Sequence, residues 1–165
     1  MRLPIAIGAG LLISLSFNLP VFSKISTPIQ VTQAQPSQKN TQILKSNLRL
    51  WKKQKIANYR YTLTRSCFCT AEARGPIVIE VRNGVTTAVT YVATSKPADK
   101  ELFKQYDTIP KLFDVIQDGI NRKAASLTVK YHPKFGYPTQ INIDYDFQMA
   151  DEELYLTVEK FEVIK

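Results

Sequence analysis

The chain has 165 residues and a net charge of +8, from 22 basic and 14 acidic side chains. Its length is that of one domain with a modest core, not of an assembly of several domains. The basic excess lies in the N-terminal third, because residues 24–71 contain nine bases and no acid, whereas residues 72–165 contain twelve bases and fourteen acids. Such a distribution indicates either an anionic surface as partner or, as the sequence favours, a solvated helix face.

Residues 1–23 have the order of a secretory signal peptide. Arg2 gives the charged start, an apolar run extends from Leu3 to Phe17, and Val21 and Ser23 are the residues expected just before cleavage. The run is about 15 residues long, shorter than the roughly 20 residues of a membrane-spanning helix, so we expect cleavage after Ser23. Removal of this segment lowers the net charge from +8 to +7. The protein is therefore predicted to be exported, to the periplasm or the cell exterior.

The segment after the cleavage site is predicted to be a flexible polar tether. Residues 24–42 are rich in Gln, Ser, Thr and Pro and have no apolar period, which is typical of an unstructured linker. A single domain over residues 43–165 is expected to follow. It begins with a helix over residues 43–57, since Leu44, Leu48 and Trp51 lie at i, i+4 and i+7. Four bases lie mostly off this apolar stripe and are candidate surface-binding residues: Lys45, Arg49, Lys52 and Lys53.

The next elements are predicted to be strands. Residues 59–69 alternate between two faces with period two, and residues 77–82 and 85–93 are rich in β-branched side chains. Asn83-Gly84 between the last two runs predicts a hairpin with a type I′ turn. Residues 94–107 are polar and predict a loop.

The second half repeats the order of the first. Thr108 is a predicted N-cap, and a helix with Pro110 in its first turn follows it. Residues 125–132, 139–147 and 154–163 predict three strands, the second with Ile141, Ile143, Tyr145 and Phe147 inward. The predicted fold is α+β, a six-stranded antiparallel sheet in α-β-β-β-α-β-β-β order with both helices on one face.

Cys67-Phe68-Cys69 is the most unusual motif. The pair fits an internal disulfide, half of a metal site or a redox-active dithiol. In a regular strand the two Cα atoms lie about 6.6 Å apart, near the upper end of the disulfide range of about 4.4–6.8 Å. Only His132 is a further strong zinc ligand where four are needed. We expect a Cys67–Cys69 disulfide after export, with the chain kinked at Phe68; buried thiols, metal and redox chemistry remain alternatives.

An acidic segment near the C-terminus offers a second set of candidate ligands. Calcium binding or paired acid–base chemistry is conceivable there, but the spacing does not match an EF-hand loop, so a solvated strand edge is expected. Its five carboxylates belong to Asp144, Asp146, Asp151, Glu152 and Glu153. His132 is expected to be a turn residue. The sequence contains no catalytic constellation and indicates no cofactor and no metal.

Several motifs together resemble the secreted bacterial proteins of the domain of unknown function 6174 family. The likeness extends from about Leu48 to Val163, and its most specific parts are Cys67-Phe68-Cys69 and Gly136-Tyr137-Pro138. The other parts are Trp51, Tyr59-Arg60-Tyr61, Arg82-Asn83-Gly84-Val85, Leu112-Phe113 and Ile143-Asp144-Tyr145-Asp146. The resemblance implies an exported or lipid-anchored protein with no activity to carry over. Unlike lipid-anchored members, this chain has no cysteine at its cleavage site.

These observations favour an exported, non-enzymatic binding or inhibitor-like module whose partner is an unknown protein or envelope component. One alternative is a basic protein in weak contact with an anionic envelope surface. Another is a thiol-redox factor that uses Cys67 and Cys69. Nucleic acid is not an expected partner, because most aromatic residues fall on the inward face of predicted strands rather than among exposed bases.

Overall fold

A computed structural model describes residues 36–149 and 151–165. The predicted signal peptide and the first part of the predicted tether lie outside these residues. Among the helices that the structure describes, none is both long and apolar enough to cross a membrane.

The described chain folds into a layer of helices that packs on one β-sheet. Its elements are α1 (Pro36–Gln54), β1 (Tyr59–Ser66), α2 (Ala71–Arg74), β2 (Ile77–Arg82), β3 (Val85–Tyr91), a 3₁₀ turn (Lys100–Phe103), α3 (Ile109–Asn121), β4 (Ser126–Tyr131), β5 (Pro138–Asp144) and β6 (Glu153–Val163). The strands form an antiparallel sheet in the order β3-β2-β1-β6-β5-β4. The predicted α+β architecture is confirmed.

Both long helices pack on the same face of this sheet. The Trp51 ring of α1 meets Tyr59 of β1 edge-on, with ring centroids 5.5 Å apart. The backbone N–H of Ile109, at the start of α3, donates to the hydroxyl of the same Tyr59 at 3.0 Å. Further along α3, a Cβ on Gly119 would lie 3.2 Å from Ile143 Cδ1, so the small residue lets the helix approach β5 closely.

The core follows from the alternation in the strands and the spacing on α3. Leu112, Phe113 and Ile116 form the buried stripe of α3, opposite the buried Ile141 and Ile143 of β5. The predicted cap is also confirmed, since the Thr108 hydroxyl accepts a hydrogen bond from Lys111 N at 3.3 Å. Burial of these apolar side chains is the main stabilising contribution to the fold.

Two turns explain short motifs in the sequence. Asn83 and Gly84 both have positive φ, 50° and 77°, as the predicted type I′ hairpin requires. Gly136 has φ 78°, and a Cβ there would lie 2.5 Å from the backbone oxygen of Asn47. Glycine is thus required at position 136 for two reasons: its positive φ, and the close approach of this turn to α1.

Helix α1 starts earlier than the sequence indicated. Residues 36–42, assigned to the flexible tether, are helical. Their side chains have no apolar period, but extending an existing helix adds a hydrogen bond for each residue and needs no buried face.

Strands β1 and β5 each end three residues earlier than predicted, and the predicted loop contains core residues. β1 stops at Ser66, before the two cysteines, and β5 stops at Asp144. Phe147, predicted to point inward, is 72% exposed. Within residues 94–107, Phe103 and Tyr106 are buried.

Candidate functional site

A cleft of about 820 Å³ opens beside α3 at one end of the sheet. It lies between α3, the segment that follows the 3₁₀ turn, and the connection from β5 to β6. The lining residues are Arg65, Lys104, Gln105, Tyr106, Lys111, Asp114, Val115, Asp118, Arg122, Tyr145, Asp151, Glu152, Glu153 and Leu154.

The charged wall of the cleft follows from helical spacing. Asp114, Asp118 and Arg122 lie at i, i+4 and i+8 of α3 and its C-cap, so they share one face beside the buried stripe. Arg65 comes from β1, where it has the same parity as the buried Leu63 and therefore points to the helix side of the sheet. The cleft thus has a helical wall and a strand floor.

One group of these side chains is joined by mutual contacts. The Arg122 guanidinium lies over the Tyr145 ring at 3.8 Å and approaches Asp118 and Glu152 at 3.7 and 3.8 Å. The Tyr145 hydroxyl donates to Asp118 Oδ2 at 3.0 Å. Burial, followed by the contact with Asp118, raises the pKa of Tyr145 to about 12. Its phenol therefore stays protonated at neutral pH and serves as a fixed donor. Tyr145 has the same parity as the buried Ile141 and Ile143 of β5, so its side chain faces α3 although β5 ends one residue earlier, at Asp144.

Arg65 is different because its charge is not compensated. It forms no salt bridge within residues 36–149 and 151–165, and its enclosed Nε has no hydrogen-bond acceptor there. Its guanidinium lies 5.4 Å from the centroid of the Tyr106 ring. An enclosed donor without an acceptor costs about 1–3 kcal/mol, so this side chain is held in place at the expense of stability.

The other two bases of the cleft are engaged elsewhere. Lys104 pairs with Glu101 at 3.1 Å, and Lys111 pairs with Asp107 at 2.6 Å.

Three carboxylates in the lining of the cleft are unpaired within the described chain. Asp114, Asp151 and Glu153 make no salt bridge with any residue that the structure describes. We call these three residues the acidic rim. The lining of the cleft therefore includes one cation and three anions that have no ion-pair partner among the described residues.

The two cysteines lie outside the cleft. Their sulfur atoms are at bonding distance, as the predicted disulfide requires, and the Cα atoms are 5.3 Å apart. The chain bends here after leaving β1, and Phe68 is 89% exposed. Arg74 donates two hydrogen bonds to the Cys69 carbonyl oxygen, at 2.9 and 2.7 Å, which anchors α2 to this bend. The described residues contain no group of three or more His, Cys, Asp or Glu side chains that could hold a metal ion.

The candidate surface-binding bases of α1 form a continuous exposed strip, which we call the basic stripe. None of the four forms a salt bridge with another described residue. A shallow groove of about 350 Å³ lies along them, bordered by Gln42 and Leu48. The stripe consists of Lys45, Arg49, Lys52 and Lys53.

The structure separates the five predicted acidic residues into two groups. Asp151, Glu152 and Glu153 line the cleft, whereas Asp144 and Asp146 do not. Asp146 accepts a hydrogen bond from Gln148 N at 2.9 Å within its own turn. His132 has the expected role in a turn, since its Nδ1 accepts from the backbone N–H groups of Lys134 and Phe135, both at 3.2 Å.

Comparison with known protein families assigns the chain to one of them. The model of DUF6174, a family of unknown function, matches residues 43–163. The chain belongs to the DUF6174 family. No curated protein and no solved structure matches it. The DUF6174 match includes all six strands, α3 and every residue that lines the cleft. The cleft is therefore part of the family's domain, for which no activity is described.

Sequence reasoning did not find the cleft of this DUF6174 domain. A charged residue on the inward parity of a strand, Arg65, was a usable signal, because such positions are normally apolar. The spacing of Asp114, Asp118 and Arg122 was a second signal. No sequence signal pointed to Tyr106, since its segment was predicted to be a loop. Only the tertiary structure brings its ring close to Arg65.

Proposed function

We propose that this chain is an exported, non-enzymatic binding module whose ligand occupies the cleft. The observation that carries the proposal is the combination of volume and uncompensated charge. A volume of about 820 Å³ lies within the usual range of small-ligand sites, about 300–1,000 Å³. Arg65 and the acidic rim supply unpaired charged groups that can fix the orientation of a ligand. Export is supported by the signal-peptide order of residues 1–23.

The arrangement of the remaining groups favours binding over catalysis. Arg122, Asp118, Glu152 and Tyr145 contact one another, and the raised pKa of Tyr145 keeps its phenol from acting as a base near neutral pH. Mutual contacts restrict the conformations of these side chains, so less conformational entropy is lost when a ligand orders them.

The proposal is tested by blocking the cleft. Small charged compounds are screened against the mature chain by thermal shift, since a ligand at a hundred times its Kd stabilises a protein by about 2.7 kcal/mol. Val115 is half-buried in the cleft, so Val115→Trp should abolish the shifts. Val92→Trp, at an exposed position outside the cleft, is the control and should keep them. Ligand-induced shifts that survive Val115→Trp would refute the cleft as the site.

A second candidate function is attachment to an anionic envelope surface through the basic stripe. It is favoured by four exposed bases on one helix face that have no ion-pair partner in the described chain. Each base close to an anionic membrane contributes about 1 kcal/mol, and the attraction falls off within a Debye length of about 8–10 Å at physiological salt.

Co-sedimentation with phosphatidylglycerol vesicles at low and high salt tests this attachment. We expect binding at low salt that is lost at high salt and in a variant with all four stripe bases changed to Gln. The matched control changes four exposed lysines elsewhere to Gln and should still bind: Lys96, Lys123, Lys130 and Lys160. Equal loss in both variants would show that net charge alone, and not the stripe, is responsible.

A further inference from the structure

The sheet has a second face, opposite to the one on which α1 and α3 pack. Side chains alternate between the two faces along each strand, so the neighbours of a buried residue point away from the helices. On β6, Leu156 is part of the core, whereas Tyr155 beside it is 42% exposed. On β5, Asn142 lies between the buried Ile141 and Ile143 and is itself only half-buried. We call this second surface the open face of the sheet.

The strand register aligns side chains of the open face in two adjacent rows across four strands. The first row runs from β4 to β1 through Thr128, Asn142, Tyr155 and Ser66. The second row runs in the same direction through Lys130, Gln140, Thr157 and Thr64. All of these residues are exposed or half-buried, and none of them lines the cleft. Since neighbouring strands are about 4.8 Å apart and alternate residues of a strand about 6.6 Å, the two rows cover an area of about 14 by 7 Å.

The two rows are polar but almost uncharged. Lys130, on the edge strand, is their only ionised side chain, and the neighbouring rows carry acids, Asp144 on one side and Glu159 on the other. Within the described chain these side chains make one hydrogen bond to one another, in which Gln140 Nε2 donates to Asn142 Oδ1 at 3.4 Å. Their other donors and acceptors are available to a ligand. Such a surface lacks the apolar centre of a stable protein interface, and a single base does not attract an anionic polymer strongly.

We propose that the open face binds a neutral β-linked oligosaccharide, with one sugar ring stacked on Tyr155. A pyranose ring with equatorial hydroxyls is apolar on its two faces, where its C–H bonds point, and polar around its edge. Its C–H groups are attracted to the negative face of an aromatic ring, which an exposed tyrosine offers. Asn142 and Ser66 lie directly opposite Tyr155 on the two neighbouring strands. Amides and hydroxyls both donate and accept hydrogen bonds, as the hydroxyls at the edge of the sugar require.

Isothermal titration of the mature chain with cellohexaose and with chitohexaose tests this proposal. We expect at least one of the two to bind, with the same affinity at low and high salt because the ligand carries no charge. Tyr155→Ala should weaken this binding about tenfold or more, since it removes the stacking surface, whereas Tyr155→Phe keeps the ring and should retain the affinity. Asn142→Ala should weaken it about three- to tenfold through loss of the amide hydrogen bonds.

The matched control removes an exposed aromatic ring elsewhere. Phe147 is 72% exposed in the β5–β6 connection and belongs to neither row, so Phe147→Ala should leave oligosaccharide binding unchanged. Circular dichroism of every variant verifies that the fold is kept, as the exposed position of Tyr155 leads us to expect.

The outcomes separate the open face from other binding modes. Binding of neither hexasaccharide at concentrations up to about 10 mM, or equal affinity of Tyr155→Ala and the unchanged protein, would overturn the proposal. If Val115→Trp abolishes oligosaccharide binding and Tyr155→Ala does not, the ligand occupies the cleft and not the open face. Dimerisation in analytical ultracentrifugation that Tyr155→Ala abolishes would assign the face to a second copy of the chain instead. Because the two rows and the cleft share no residue, failure of this proposal leaves the proposed function of the cleft unaffected.

Discussion

Replacing Trp51 with alanine removes the side chain through which α1 meets the sheet. The indole is 5% exposed and contacts three aromatic rings edge-on, those of Tyr59, Tyr137 and Phe161, at centroid distances of 5.5, 6.2 and 5.8 Å. They belong to β1, the turn before β5, and β6, so the substitution weakens contacts across the centre of the sheet.

The expected loss follows from burial and from the ring contacts. Truncation of a buried tryptophan to alanine typically costs about 3–5 kcal/mol, to which edge-on aromatic pairs contribute about 0.5–1.5 kcal/mol each. Because small domains are stable by about 5–15 kcal/mol, the variant should unfold at a much lower denaturant concentration. A loss of this size corresponds to a fall in Tm of roughly 10–20 °C.

Urea unfolding followed by far-ultraviolet circular dichroism is the suitable assay, since Trp51 is the only tryptophan and its fluorescence disappears in the variant. Lys53→Ala on the exposed side of the same helix is the control and should change stability by no more than about 0.5 kcal/mol. If the two variants have the same unfolding midpoint, α1 does not contribute to the core and Trp51 does not hold it on the sheet.

The remaining predictions concern pH, the cysteines and processing. Burial raises the pKa of Tyr59 from 10.0 to about 12, so the stabilisation from its protonated form should be complete below pH 10 and lost between pH 10 and 12. A Tyr59→Phe variant should lose less stability over that interval, and equal slopes in urea titrations would contradict this. Joint replacement of Cys67 and Cys69 with serine should change the urea midpoint little, because so short a loop restricts the unfolded chain only slightly. In unreduced exported protein neither cysteine should react with an alkylating reagent, and two alkylated thiols in peptide mass analysis would exclude the disulfide. Mass spectrometry of the exported protein should find an N-terminus at or near Lys24, whereas an intact Met1 would exclude cleavage.

The sequence was sufficient where a local pattern has a single structural solution. Asn83-Gly84 between two β-branched runs predicted the hairpin, because few residue pairs adopt two successive positive φ angles. Thr108 before a periodic apolar run predicted the start of α3. Since the two residues Asn83-Gly84 join β2 to β3, the antiparallel pairing of these two strands followed as well.

The sequence was insufficient wherever contacts between distant segments override the local pattern. The alternation of β5 continues past Asp144 in the sequence, yet the strand ends there and Phe147 is exposed, while Tyr145 contacts Arg122 and Asp118 of α3. The polar loop before α3 contains Phe103 and Tyr106, which are buried only because this segment folds back against the sheet.

The candidate site is one of the features that contacts between distant segments decide. Arg65, Tyr106 and the acidic rim come from four separate parts of the chain, and no periodicity in the letters connects them. The sequence determined which faces of the strands and helices are apolar, because burial of those faces follows from period two and period 3.6. Only the tertiary structure decided which charges meet at the end of the sheet, because that depends on how α3 and the β5–β6 connection pack over β1.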